Sequence, residues 1–228
     1  MKKCIFTFDD GLETHFKLAV PVLKEYLFNA TFFVTGARKI WHRMEPEVRE
    51  DELEWGQVAD MYHMGFEIGN HTWSHYPKGD IRGLEKLERF LMMEYGILTR
   101  SFSYPSGQHT MRVYEGLKER QYWYARKCYS NDHGAMDSRN REKVDYYTPH
   151  ETDPLLICCT GLFGKEADYD FDQFRTDLSN TPDESYPVFA FHGLRGLGRE
   201  KYFEKCVEYL NDEGWQVIAF SDLHDDQG

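Results

Sequence analysis

Linkers, internal repeats and low-complexity tracts are missing from this 228-residue chain. No apolar run is long enough to cross a bilayer, so no membrane segment is expected. Without a break in composition, residues 1–228 read as a single domain. Basic residues are also short. Lys and Arg total 27 against 39 Asp and Glu, a formal net charge of -12, which repels nucleic acid and anionic membrane surfaces at long range and suits a neutral or cationic substrate. No C-x-x-C occurs among the five cysteines, Cys4, Cys128, Cys158, Cys159 and Cys206. An odd count, with Cys4, Cys158 and Cys159 in strand-like runs, reads as reduced core thiols. A secretory leader is not expected either. After Met1-Lys2-Lys3 the apolar stretch lasts only about five residues before two aspartates, with no small-residue cleavage site, so the expected location is cytoplasmic. What the chain has is 41% hydrophobic and 16% aromatic residues, enough for one sizeable core at this length.

Two clusters carry chemistry. Cys4 to Phe8 reads as a buried strand ending in Asp9-Asp10-Gly11. Neighbouring side chains inside a strand face opposite ways, so adjacent acids within it would drive one into the core. At its last residues, with Gly11 free to take a positive φ, both can open into one mouth. An Asp there that only caps the following helix is the competing reading. The second cluster, His71-Thr72-Trp73-Ser74-His75, sets two imidazoles four residues apart, on one face of a helical turn or across a tight loop, where both can grip one ion. Two histidines and a carboxylate form the three-ligand set that leaves a catalytic zinc an open position for water. The remaining carboxylate is then free to act as a base.

Strand and helix patterns alternate along the chain. The spacing predicts helices at Thr14 to Leu27, from a capping box at Asp51 and Glu54 through Met64, and at Gly83 to Tyr95, Thr110 to Arg120, Phe171 to Leu178 and Arg199 to Asn211. Strands are predicted at Ala30 to Val34, Phe66 to Ile68, Ser101 to Tyr104, Tyr122 to Cys128, Leu155 to Cys159, Pro187 to His192 and Trp215 to Phe220. Tyr129 to Asp153 is polar, weakly periodic and long, a candidate binding loop or lid. Repeated β-then-α units predict an α/β fold, a distorted (β/α) barrel of seven or eight mostly parallel strands. Asp9, Asp10, His71, Pro105 and His192 all fall at C-terminal strand ends, where barrel enzymes keep their chemistry.

Thr7-Phe8-Asp9-Asp10-Gly11, then His71-x-x-x-His75, then Pro105-Ser106-Gly107, then a late strand ending in His192 resembles the polysaccharide deacetylase family, carbohydrate esterase family 4. The resemblance runs from Thr7 to about Phe220. It implies a divalent metal, with zinc first among the candidates, held by Asp10, His71 and His75, with Asp9 as general base, His192 as general acid and the Ser106 N–H as oxyanion donor. It further implies removal of an acetyl or similar small acyl group from an N-acetylated sugar or oligosaccharide. An O-acetyl ester, a formyl amide or a cyclic imide stays open as substrate, and so does an inactive sugar-binding protein that keeps the metal. The sequence departs from the family at its third motif, R-x-P-Y-G, which here reads Ser103-Tyr104-Pro105-Ser106-Gly107. Losing that Arg takes a cation from the base and would raise its pKa, and Arg126, on the next predicted strand, is the candidate replacement. Of the fourth motif, D-x-x-D-W, only Asp132-His133 remains; Asp132 either tunes His192 or is a solvated loop residue. Ala190 replaces a family Leu and opens the wall where an acyl methyl would sit. Tyr104 is a candidate substrate contact, and Trp73 could stack on a sugar face or brace the metal loop.

Overall fold

Strand β1, Lys2–Phe8, is the middle of the molecule, and its alternation shows why. Phe6 and Phe8 share a cluster with Val20, Leu23, Phe203 and Val207 from the covering helices, whereas Ile5 shares another with Phe33, Tyr124, Ile157 and Val188 from other strands. One face of the sheet therefore packs on helices and the other on itself, which requires a curled sheet. The computed structural model describes residues 2–37, 51–76, 80–128, 144–163, 170–196 and 198–225. The other strands are β2 Thr31–Val34, β3 Glu67–Asn70, β4 Ser101–Ser103, β5 Tyr124–Lys127, β6 Ile157–Cys158, β7 Gly161–Phe163, β8 Val188–Phe191 and β9 Trp215–Ile218.

They form one sheet in the order β6-β5-β4-β3-β2-β1-β8-β7, with β9 also beside β1. Every strand pairing is parallel. β9 takes the first half of one edge of β1, Lys2 to Ile5, and β2 takes Thr7 and Phe8. The two ends of the path, β6 and β7, are separated in sequence only by Cys159 and Thr160. A single bent segment thus pairs with β5 and then with β8, and Thr160 fastens the bend: its N–H donates to the Val188 carbonyl at 2.7 Å and its Oγ1 accepts from the Val188 N–H at 2.9 Å. The fold is the expected distorted α/β barrel.

Outside the sheet lie α1 Val20–Glu25, α2 Trp55–His63, α3 Ile81–Tyr95, α4 Met111–Glu119, α5 Phe171–Ser179, α6 Arg199–Asp212 and α7 Phe220–Asp225. A π-helical turn, His15–Ala19, leads into α1. The capping box at α2 begins at Glu54, not Asp51: the Glu54 N–H donates to Gln57 Oε1 at 2.8 Å. Asp51 is engaged elsewhere, its carbonyl accepting from the Glu13 N–H at 2.7 Å, next to an antiparallel bridge between Leu12 and Glu52. Strand β7 and helix α7 are additions to the expected elements. No helix among the described residues is long and apolar enough to cross a membrane.

Candidate active site

Asp9 and Asp10 leave β1 side by side because the backbone turns at once. Asp10 itself takes a left-handed φ of 77°, followed by Gly11 at 67°. An Asp held in that region is strained, which the surrounding structure must impose. The histidine pair sits in a tight loop after β3, not on a helix, with Thr72 at φ 66° and His75 at φ 49°. Asn70 ties that loop down: its Oδ1 accepts from the Thr72 N–H at 2.8 Å, and its Nδ2 donates to the Leu84 carbonyl at 3.1 Å. Thr72 Oγ1 accepts from the His75 N–H at 3.0 Å.

Asp10, His71 and His75 converge, with one ligand atom from each all within 4.8 Å of one another. Nε2 of His71 and of His75 lie 3.5 and 3.3 Å from Asp10 Oδ1. Ligands at zinc–nitrogen and zinc–oxygen lengths of about 2.0–2.1 Å around a tetrahedral ion stand roughly 3.3–3.5 Å apart, so the spacing fits one small divalent cation. His71 Nδ1 donates to the Ser103 carbonyl at 2.7 Å, which leaves Nε2 as the lone-pair nitrogen, aimed at Asp10 and making no hydrogen bond. Fixing the tautomer through the second nitrogen is the usual support of a metal-binding histidine.

Arg126 is fully buried and meets Asp9. One nitrogen, Nη2, donates to both oxygens of the Asp9 carboxylate and to Ser103 Oγ at 2.7 Å. The approach differs from the expected one. Arg126 does not come from a strand neighbouring β1: β4, β3 and β2 lie between β5 and β1 along the sheet, so the side chain crosses the barrel interior. It passes beside Ser103, its partner in the β4–β5 register. Burial pushes the Asp9 carboxyl up, but Arg126, with His71 and His192, outweighs this and holds it at about 2.

His192 emerges from β8 next to Asp9, whose N–H donates to the Phe191 carbonyl at 2.8 Å. Its Nε2 stands 3.8 Å from Asp9 Oδ2 and 3.8 Å from Asp10 Oδ2. His15, expected from the sequence to be structural or solvent-facing, is structural: it is buried beneath this segment. His15 Nδ1 faces the Leu12 N–H at 3.4 Å and Nε2 donates to the His192 carbonyl at 3.0 Å. Burial pushes its imidazole down to about 4, so it is neutral at pH 7. Its place shortly after the Asp pair, with only Gly11 to Thr14 between, was the available signal for its part beside His192.

Ser106 sits at φ 56° in the turn Pro105–Gly107, exposed at the end of β4. Two candidate substrate contacts are corrected. Tyr104 is buried in a cluster with Phe102, Tyr122 and Leu155, and its hydroxyl donates to the Leu155 carbonyl at 3.1 Å. Trp73 packs edge-on against Phe90, with the Lys86 ammonium 3.8 Å over its ring. A Cβ at Gly36 would fall 2.3 Å from that indole, so Trp73 braces the loop, with its ring engaged by Gly36, Phe90 and Lys86. Asp132 and His133 lie outside the described residues, as does much of the candidate lid. The described part, near Tyr147, is held by an antiparallel bridge to Tyr186. His150 lines a cavity of about 530 Å³ with Trp123, Tyr124 and His224, near the start of β5 and so away from the strand ends that carry the site.

A parallel barrel with carboxylates and imidazoles at its C-terminal rim places the candidate site where α/β barrel proteins keep their chemistry. Residues 1–125 match the family model for polysaccharide deacetylase, more than half of the 228 residues, and the chain belongs to that family. A putative polysaccharide deacetylase of Bacillus subtilis (strain 168) is 36% identical over 75 residues, 32% of this chain and 24% of the relative. The match therefore spans about a quarter of that relative's length. Among solved structures, a family 4 carbohydrate esterase from Bacillus anthracis superposes with a TM-score of 0.61 at 19% identity, covering 98% of this chain and 83% of that one. A peptidoglycan deacetylase from Bacillus subtilis gives 0.60 at 18%, covering 98% and 90%. A mutant family 4 pseudoenzyme with restored enzymatic activity gives 0.62 at 15%, covering 97% and 67%. At these identities the likeness is one of fold.

Proposed function

We propose that this protein is a metal-dependent deacetylase that removes an acetyl or similar small acyl group from the nitrogen of an N-acetylated sugar or oligosaccharide. The observation that carries the reading is the meeting of Asp10, His71 and His75, with ligand atoms within 4.8 Å of one another, beside a carboxylate held by Arg126. A divalent ion, zinc above others, held by those three residues would lower the pKa of a bound water and polarise the acyl oxygen. Asp9 takes the proton from the attacking water, and Arg126 keeps that carboxylate ionised and aimed. The Ser106 N–H stabilises the oxyanion. His192 donates a proton to the nitrogen as the C–N bond breaks, without which an amide anion would be too basic to leave. His15, through the His192 carbonyl, keeps this acid in place.

The pseudoenzyme among the fold relatives makes an inactive, metal-retaining protein the second reading. The buried Arg126–Asp9 pair argues against it, because leaving such a pair in place costs desolvation that a binding module has no need to bear. Metal analysis of the purified protein with an acetate-release screen over small N- and O-acetylated sugars tests both. Acetate from an N-acetylated sugar, lost on chelation, supports the proposal; metal without acetate release from any of them overturns it.

A further inference from the structure

Beyond the metal and the acid–base pair, two thiols that the reaction does not use stand at the C-terminal ends of β5 and β6. The β5–β6 register pairs Lys127 with Cys158, so the next residues on each chain, Cys128 and Cys159, stand opposite each other across adjacent parallel strands. Strand spacing of about 4.8 Å lies inside the Cα separation of roughly 4.4–6.8 Å that a disulfide tolerates. Both side chains point into the barrel, in one cluster with Leu162 and Ala190. Their sulfurs share one donor: Arg126 Nη1 lies 3.6 Å from Cys128 Sγ and 3.2 Å from Cys159 Sγ, and the Cys159 thiol in turn donates to the Lys127 carbonyl at 3.5 Å. Arg126 Nε finds no acceptor among the described residues. The guanidinium that holds Asp9 through Nη2 is thus anchored at its other end by this pair. Cys128 also backs the oxyanion turn, since a Cβ at Gly107 would fall 2.6 Å from Cys128 Cβ and 2.7 Å from its sulfur.

We infer that Cys128 and Cys159 are a reversible oxidation site, closing to a disulfide beneath Arg126 and the Ser106 turn. Cys159 Sγ is the sulfur nearer the guanidinium, 3.2 Å against 3.6 Å; burial raises its thiol, but the adjacent Cys128 thiol and the Arg126 charge outweigh this and hold it below the ordinary thiol range, which makes it the attacking sulfur. Both thiols are buried, so the oxidant must be small, and hydrogen peroxide is the co-reactant. Cys159 sulfur attacks one peroxide oxygen, the O–O bond breaks and water leaves, giving a sulfenic acid. Cys128 sulfur then attacks that sulfur, the S–O bond breaks, and a second water carries off the Cys128 proton. Two thiols lose two electrons in all, and one peroxide becomes two waters. A bond of about 2.05 Å draws the sulfurs inside their non-bonded separation and removes the ionisable Cys159 sulfur, leaving a neutral disulfide that attracts the guanidinium less. Arg126 Nη1 loses its anchor, and the turn resting on Cys128 moves with it.

The effect on turnover rests on the deacetylase reading, whereas the bond itself does not. The test treats zinc-loaded protein with hydrogen peroxide, removes the excess, alkylates, digests and maps the peptides by mass spectrometry; zinc is the probe because it has no redox chemistry of its own. The expected result is a peptide containing Cys128 linked to one containing Cys159, two fewer alkylatable thiols, and reversal of both by dithiothreitol. Deacetylation should fall with the same time course and return on reduction, while Cys159→Ala protein shows no linked peptide and no reversible loss. Finding both residues still alkylated, or either one linked to Cys158 or Cys206 instead, overturns the inference. The wild-type map needs no variant to fold. A linked pair in a protein that releases no acetate in either redox state upholds the disulfide and removes the deacetylase reading.

Discussion

Arg126 connects more of the site than any other side chain, because it touches Asp9, Ser103 and both barrel thiols at once. Asp9 ionises at about 2 in the folded protein against 3.8 ordinarily. A depressed carboxyl adds stability that is present above its unfolded pKa and is lost as pH falls from about 3.8 through about 2. Arg126→Met leaves that carboxylate buried without its partner, which should cost about 3–5 kcal/mol. The Asp9 pKa should rise, moving the acidic limb of the pH–rate profile to higher pH while metal content stays the same; a profile that overlays the parent's would remove Arg126 from the site. Asp9→Asn should keep metal and fold and lose ~10²–10⁴-fold in kcat, the usual weight of an acid–base group, as measured by acetate release. Arg126 was legible in the sequence as a cation on the next predicted strand after the motif that lacks its own. Its route was not, because strand order says which chains are adjacent and nothing about what reaches across a closed interior. The link from His15 to His192 was hidden for a related reason: its partner is a backbone carbonyl 177 residues away, and backbone acceptors leave no mark in a residue pattern.

At the level of elements, the periodicity located the strands that deliver Asp9, His71, Ser106 and His192, since each is a short, buried, β-rich run closed by a turn. Two elements were hidden. Gly161–Phe163 is only three residues long and begins with glycine, so neither length nor propensity marks it as a strand. Its existence depends on pairing with β8 as the barrel closes. Phe220–Asp225 continues directly from the last strand's apolar run, and a helix that starts on a buried Phe carries no polar start signal beyond Asp222, whose Oδ2 accepts from the Ala219 N–H at 2.8 Å. The His71–His75 loop shows the opposite case, where two readings of one spacing were open and Asn70 and Thr72 decide between them by hydrogen-bonding the backbone into a tight turn. That loop is held by its own bonds, so the ligand and the scaffold separate experimentally. His75→Ala should lose most of the bound metal, because two protein ligands remain, yet keep the barrel. Its melting temperature should no longer rise when zinc is added, whereas ligand at about 1,000 times Kd would stabilise the parent by roughly 4 kcal/mol. A variant that still gains stability from zinc as the parent does would show that His75 is not a ligand.

For the whole molecule, the barrel's closure through one bent segment gathers the chemistry at one rim, and the charge of the chain acts on whatever approaches it. The formal net charge is -12, so the field around the protein is negative beyond the reach of any single side chain, and a cationic ligand is drawn toward it while an anionic one is turned away. An N-acetylated oligosaccharide is neutral and does not feel this field, but each acyl group removed leaves an ammonium, so a partly deacetylated oligomer is a cation. The two substrates should therefore separate by salt. At physiological ionic strength the field is screened within about 8 Å, and within about 3 Å at 1 M. Raising salt from low ionic strength should lower kcat/KM for the partly deacetylated oligomer through KM, with kcat nearly constant, and leave the fully acetylated oligomer almost unaffected. Measuring both substrates across a salt series with the metal held saturating checks this. Equal salt dependence for the two would mean that the acidic surface lies too far from the rim to steer substrate, and that selection among oligomers is made by contacts at the site alone.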